Sequence, residues 1–152
     1  MAGNKPRSTL SLNEKVMIFI VLASEIFKKK SSSIFREHGL TFSHYSVLKY
    51  LIAREKGRDT VGNVSRSMLV TGASVTGLAK RMEKAGLIER KNDANDERLT
   101  ILQITPKGLK TLDTIRKIQE KHISLYLQAL PEDRKEEILS VLKQIVRTGR
   151  EL

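Results

Sequence analysis

The stretch that most constrains the fold is residues 86–108, GLIERKNDANDERLTILQITPKG. Two short apolar runs flank an Asn/Asp cluster, and Asn and Asp tolerate the left-handed backbone that a hairpin tip requires. The pattern predicts strands at about 87–92 and 98–104. Gly86 closes whatever helix precedes it, and Thr105 followed by Pro106 is an N-cap with proline at the first helical position. The hairpin is therefore inserted between two helices. The expected class is mainly α with a small β-hairpin.

Helical periodicity accounts for the rest of the chain. From Leu12, the positions Val16, Phe19, Ile20, Ala23, Ile26 and Phe27 fall on helical spacing. KKKSSS at 28–33 interrupts the pattern, but Ile34 and Phe35 resume it in phase, which predicts one long helix to about His38, stopped by Gly39. Thr41 can cap a second helix carrying Tyr45, Leu48, Leu51 and Ile52, which ends before Gly57. A short third helix holds Val61, Val64 and Met68. Thr71 is the expected N-cap of a fourth, with Val75, Leu78, Met82 and Ala85 on its inner face. After the hairpin, a long helix carries Leu109, Leu112, Ile115, Ile118, His122, Leu125 and Ala129 in register. Pro131 opens a last helix with the apolar stripe Ile138, Leu142 and Ile145.

Composition narrows the chemistry. The chain has no cysteine, which removes disulfides, thiolate metal sites, cysteine nucleophiles and thiol redox sensing. His38, His44 and His122 do not show metal-ligand spacing. No phosphate-binding loop or nucleophile elbow is present, so the reading is not an enzyme, with no cofactor. No apolar run is long enough to span a membrane and no cleavage pattern follows the first helix, so a cytoplasmic protein is expected. The formal net charge of +11 implies a polyanionic partner. Residues 111–152 hold 8 basic and 7 acidic side chains, whereas residues 1–110 hold 20 and 10. The surplus thus sits in the first 110 residues, and the tail is suited to packing.

Within those 110 residues the fourth helix carries the sharpest signal. Its outer face offers Ala73, Ser74, Gly77, Lys80, Arg81 and Lys84, with Thr76 at the margin and Glu83 as the only acid. Small side chains let a helix backbone enter a major groove. Ser74 and Thr76 can hydrogen-bond base edges, and Lys80, Arg81 and Lys84 can neutralise phosphates. A solvated amphipathic helix is the alternative, but such a face usually mixes acids and bases.

Residues 71–108 resemble the MarR family of winged helix-turn-helix regulators. The resemblance rests on Thr76, on Met82-Glu83-Lys84-Ala85-Gly86-Leu87-Ile88-Glu89-Arg90, on Asp93 with Asp96 and Arg98, and on Ile104-Thr105-Pro106-Lys107-Gly108. Elsewhere the chain agrees in element order and length. Gly77 stands where many relatives carry Arg, Ala94 replaces a common proline, Glu97 replaces a frequent second wing Arg, and Ser65-Arg66-Ser67 makes the third helix unusually polar. These departures bear on which sequence is bound.

The resemblance implies a single domain over 1–152. It would comprise a flexible arm at 1–10, dimerisation helices at 11–38 and 106–152, and a winged helix-turn-helix DNA-binding lobe at 41–105. It also implies an obligate homodimer, and the apolar content of the terminal helices agrees independently; an intramolecular helical hairpin is the alternative. In a strand, residues two apart point the same way, so Asp96 is expected to brace Arg98 as that guanidinium enters the minor groove of double-stranded DNA. Arg90, Lys91 and Arg98 would offset Asp93, Asp96 and Glu97, whose spacing does not fit a calcium loop, and Arg90 joins Lys80, Arg81 and Lys84 as an expected phosphate contact. A solvated hairpin charge is the other reading of Arg98. Relatives bind small aromatic anions, for which His44 and Tyr45 are the expected lining. The function so implied is a repressor that binds a pseudo-palindromic operator. A nonspecific architectural nucleic-acid-binding protein is the alternative, and a protein-interaction module a third.

Overall fold

The computed structural model describes residues 9–152, so most of the arm expected at 1–10 lies outside the described residues. Two compact units are present, Met1–Leu112 and Asp113–Leu152. No helix among the described residues is long and apolar enough to cross a membrane.

Helix α1 (Leu12–Glu37) begins with a full capping box, in which the Ser11 hydroxyl accepts from Glu14 N–H while the Glu14 carboxylate accepts from Ser11 N–H. KKKSSS lies inside it, as its phase predicts, and Ser31 is fully buried beside the core residue Phe35. Helix α2 (Phe42–Ile52) is capped by Thr41. It ends five residues before Gly57, and a short 3-10 turn at Glu55–Gly57 leads into strand β1 (Arg58–Thr60). That strand is a correction to the expected two-stranded hairpin. Three residues, Arg58-Asp59-Thr60, are too short and too polar to register as a periodic strand.

Helix α3 (Val61–Met68) and helix α4 (Gly72–Lys84) form the helix-turn-helix and pack on each other. Thr71 caps α4 as expected, accepting from Ser74 N–H at 3.1 Å. The inner face of α4 differs in one detail: Val75, Leu78, Ala79 and Met82 are buried, whereas Ala85 is exposed. Strands β2 (Ile88–Asn92) and β3 (Thr100–Ile104) follow, and the antiparallel sheet runs β1-β3-β2. β3 is therefore the central strand, and its Leu102 is completely buried. Leu48, Leu51, Met82 and Ile88 join it in the core, each contributing about 1.5–3 kcal/mol by burial.

Helix α5 (Pro106–Leu127) starts at the expected proline, and helix α6 (Glu132–Glu151) starts one residue after Pro131, which is its N-cap. The apolar stripe of α6 is broader than its periodicity suggests. Ile138, Leu139, Val141, Leu142 and Val146 are all exposed, as are Leu12, Val16, Met17, Ile18, Phe19, Val21, Leu22 and Ile26 of α1.

A polar cluster missed by the sequence reading ties α2, β1 and α3 together. Asp59 accepts from the Tyr50 hydroxyl at 2.8 Å, from Asn63 Nδ2 at 2.6 Å and from Thr60 N–H at 2.7 Å. The Arg54 guanidinium stacks on the Tyr50 ring and reaches the same carboxylate at 3.8 Å. Asn63 in turn accepts from Arg66. Burial alone would raise the Asp59 carboxyl, but the bonds from Asn63, Tyr50 and Thr60 and the Arg54 charge outweigh it and hold it below its ordinary value.

Two predictions follow from these local geometries. First, Leu69 ends α3 in the left-handed region (φ 54°) with its side chain 73% exposed. Leu69→Gly relieves that conformation and loses little burial, so it should raise stability by about 0.5 kcal/mol after the entropic cost of glycine. Gly108→Ala should do the opposite, since a Cβ there would lie 2.2 Å from the Leu87 carbonyl oxygen; a loss above about 2 kcal/mol is expected by chemical denaturation. Second, because Asp59 has a lowered folded pKa, its contribution is complete above its unfolded value and disappears as pH falls through the folded one. Unfolding curves from neutrality to about pH 3 should therefore show a steeper acid loss for the natural protein than for Asp59→Asn. Parallel curves would remove Asp59 as a stabilising acid.

Candidate nucleic-acid interface

The exposed face of α4 begins at its cap. The Thr71 and Ser74 hydroxyls lie 2.9 Å apart, and Ser74 N–H is held by Thr71. Ser74 is thus fixed in orientation at the helix N-terminus, where the backbone dipole favours negative charge. The Thr76 hydroxyl donates to Gly72 O at 2.9 Å, which leaves its oxygen lone pairs as acceptors. A hydroxyl bonded back into its own helix is an acceptor for an external partner rather than a donor. One turn later Lys80, Arg81 and Lys84 are all exposed. The structure therefore brings five expected contact residues onto one helix in the predicted order.

The wing departs from expectation in three ways. Strand β3 begins at Thr100, so Arg98 lies in the turn before it rather than on the return strand. The alternation argument for an Asp96–Arg98 side-chain brace does not apply there. Asp96 Oδ1 instead accepts from the Arg98 backbone N–H at 3.0 Å, fixing where the residue sits and leaving the guanidinium exposed. Asp93 acts in the same manner, its Oδ1 accepting from Asn95 N–H and Asp96 N–H at 2.8 and 3.0 Å. Asp93 and Asp96 are thus turn-forming acceptors, while Glu97 lies exposed in the turn.

The expected offset of those acids by Arg90 and Lys91 is also not what the structure contains. Lys91 pairs with Glu89, its neighbour across one residue of β2, at 2.9 Å. Arg90 is gripped by Glu83 from the last turn of α4, with Arg90 Nε–H donating to Oε2 at 2.7 Å and Arg90 N–H donating to Oε1 at 3.1 Å. These bonds hold the Glu83 carboxyl below its ordinary range. In the sequence Glu83 stands out only as the lone acid of the outer face; its seven-residue spacing to Arg90, across a helix end and a glycine, is the signal that identifies the pair.

His44 and Tyr45 have structural roles. His44 Nδ1 accepts from Thr41 N–H at 3.1 Å, completing the α2 capping box. The neutral imidazole then carries its proton on Nε2, which is buried and without a hydrogen-bond partner among the described residues. Burial, and secondly the charge of Arg81, push its pKa below the usual value. Tyr45 stacks on Phe35 with ring centroids 4.7 Å apart.

Comparison with known proteins agrees with this geometry. The MarR family model matches residues 38–99. The transcriptional regulator SarZ of Staphylococcus haemolyticus is 22% identical over 134 residues, 88% of each chain. Among solved structures, AbsC, a MarR family transcriptional regulator from Streptomyces coelicolor, superposes with a TM-score of 0.83 at 21% identity, covering 94% of this chain and 98% of that one. MepR of S. aureus, solved as a complex with DNA, superposes with a TM-score of 0.77 at 22% identity, covering 87% of this chain and 96% of its own. The matched family segment spans α2, the helix-turn-helix and the wing up to Leu99, and the fold as a whole is that of the MarR family winged helix-turn-helix structures.

Proposed function

We propose that this protein is a dimeric transcription regulator, acting as a repressor in the cytoplasm, that binds a pseudo-palindromic duplex with α4 in the major groove and the wing in the minor groove. The observation that carries the reading is the exposed face of α4, where a capped N-terminus with Ser74 and Thr76 is followed one turn later by Lys80, Arg81 and Lys84. Small polar groups for base edges and cations for phosphates stand in the order a groove-bound helix needs. Arg98, exposed and fixed by its backbone at the hairpin tip, supplies the minor-groove contact.

The homodimer is supported by the apolar residues that α1 and α6 leave exposed. In α1 they point to more than one side of the helix, and a helix apolar all round is one that becomes buried. A second copy of the chain is the partner that the two-fold symmetry of a pseudo-palindrome calls for. A small aromatic acid as effector rests on one observation, the buried His44 Nε2–H, which a carboxylate could accept from. Its test is a ligand-dependent thermal shift that His44→Ala abolishes.

Selection of bound sequences from random duplexes, followed by footprinting, tests the function directly. A discrete symmetric site is expected; uniform coverage would indicate the architectural alternative instead, and no protection the protein-interaction module. On the selected duplex, neutralising Lys80, Arg81 or Lys84 should weaken binding to all sequences and lower the salt slope by about one unit per lost phosphate contact. Arg98→Ala should lose roughly 1–3 kcal/mol, most on A·T-rich flanks. Equal loss on G·C-rich flanks would reduce Arg98 to a phosphate contact. Deleting residues 131–152 should convert the dimer to monomer or aggregate in sedimentation, and a soluble dimer after that deletion would overturn the assignment of α6 to the interface.

A further inference from the structure

The Glu83–Arg90 contact joins the two elements that the proposed function places in different grooves. Glu83 lies in the last turn of α4, and Arg90 is the middle residue of β2. β2 is an edge strand, paired only with β3 on one side. Its Arg90 N–H points to the open edge, and the Glu83 carboxylate receives it. The second carboxylate oxygen takes Nε–H of the same residue. An exposed ion pair between two flexible side chains fixes little. Here one of the two donors is backbone, so the contact fixes the strand itself, and through the strand the hairpin that carries Arg98.

We propose that Glu83 and Arg90 form a strut that sets the distance and angle between the recognition helix and the wing, so that Arg90 is a positioning residue rather than a phosphate contact. The inference rests on the proposed DNA-binding function. It explains why the outer face of α4 includes an acid: Glu83 is a fixed acceptor whose charge is balanced by Arg90. It also separates two readings that predict opposite signs. If Arg90 neutralised a phosphate, a carboxylate 2.7 Å from its Nε would compete with the duplex, and removing Glu83 would tighten binding. If the pair is a strut, removing Glu83 lets the wing drift and weakens binding.

The test uses the full chain and a selected duplex in two forms, one with its flanks and one truncated to the part beneath α4. Glu83→Gln, which cannot accept both donors as an anion, and Arg90→Lys, which keeps the charge but lacks Nε–H, should each weaken binding to the long duplex by about three- to tenfold. Neither should change binding to the truncated duplex, and the salt slope should stay as in the unaltered protein. The double variant should be no weaker than the worse single one. Glu83→Asp keeps the charge on a shorter arm and should show the same flank-confined loss. Tighter binding by Glu83→Gln overturns the strut. So does Arg90→Lys with unaltered affinity beside Arg90→Gln that loses about one unit of salt slope, because that is the signature of a phosphate contact. Equal loss on both duplexes overturns it as well, since that is what general destabilisation produces. No salt-dependent binding by the unaltered protein on any duplex overturns the DNA-binding function itself, a result distinct from all of these.

Discussion

The helix-turn-helix and the wing are tied at one joint, where the end of α4, the start of β2, the end of β3 and the start of α5 meet. Thr105 stands at its centre. Its N–H donates to Leu87 O at 3.1 Å, its hydroxyl donates to Gly86 O at 2.6 Å, and the same hydroxyl oxygen accepts from Gly108 N–H at 3.0 Å. Lys107 Nζ adds a bond to Ala85 O at 2.8 Å, satisfying a carbonyl at the end of α4 that has no intrahelical partner. Gly108 permits the approach, because any side chain there would meet the Leu87 carbonyl oxygen. Gly86 permits the reversal, with φ at 74°. Four elements are thus held by a handful of backbone atoms, one hydroxyl and the Lys107 ammonium.

That joint explains which parts of the fold were legible in the sequence. Its residues are punctuation with specific chemistry, Gly86, Thr105, Pro106 and Gly108, and such residues can be read one at a time. So can Thr41 and Thr71, whose hydroxyls cap α2 and α4 as expected. What could not be read was anything requiring the third dimension. β1 has three residues and exists because β3 offers it an edge, with Asp59 opposite Leu102. The Asp59 cluster draws on Tyr50 of α2, Arg54 of the turn after it and Asn63 of α3, and no periodicity connects them. The run from Leu99 through Ile101 and Leu102 reads as strand from Arg98 onward, yet Leu99 N–H is taken by Asp96 O, which extends the turn and delays the strand.

The candidate site divides along the same line. Positions on α4 were legible because a helix has a fixed period: residues 74, 76, 80, 81 and 84 follow once the cap is known. Roles within the wing were not, because the charges there are governed by what they touch. Arg90 and Lys91 are adjacent and both cationic, yet one grips a helix end while the other pairs along its own strand. Net charge identifies a class of partner, but it does not tell a contacting cation from a structural one.

Occupied acids complete the electrostatic argument. A surface that attracts a polyanion should not carry free carboxylates, yet Glu83, Asp93 and Asp96 all lie on α4 or the wing. Each is engaged by donors that stay with the protein. Glu83 holds Arg90, Asp93 holds two backbone N–H groups, and Asp96 holds the backbone N–H of Arg98. Their field is therefore partly cancelled by fixed positive ends a few ångströms away, and it falls off faster than that of a lone charge. The side-chain charges of the exposed cations Lys80, Arg81, Lys84 and Arg98 are not paired with these acids; Asp96 takes only the backbone N–H of Arg98. Glu83, Asp93 and Asp96 shape the turn and hold the wing, and under the proposed function the exposed cations are left for the duplex; one stretch of chain can in this way be both a well-folded hairpin and an attractive surface for phosphate.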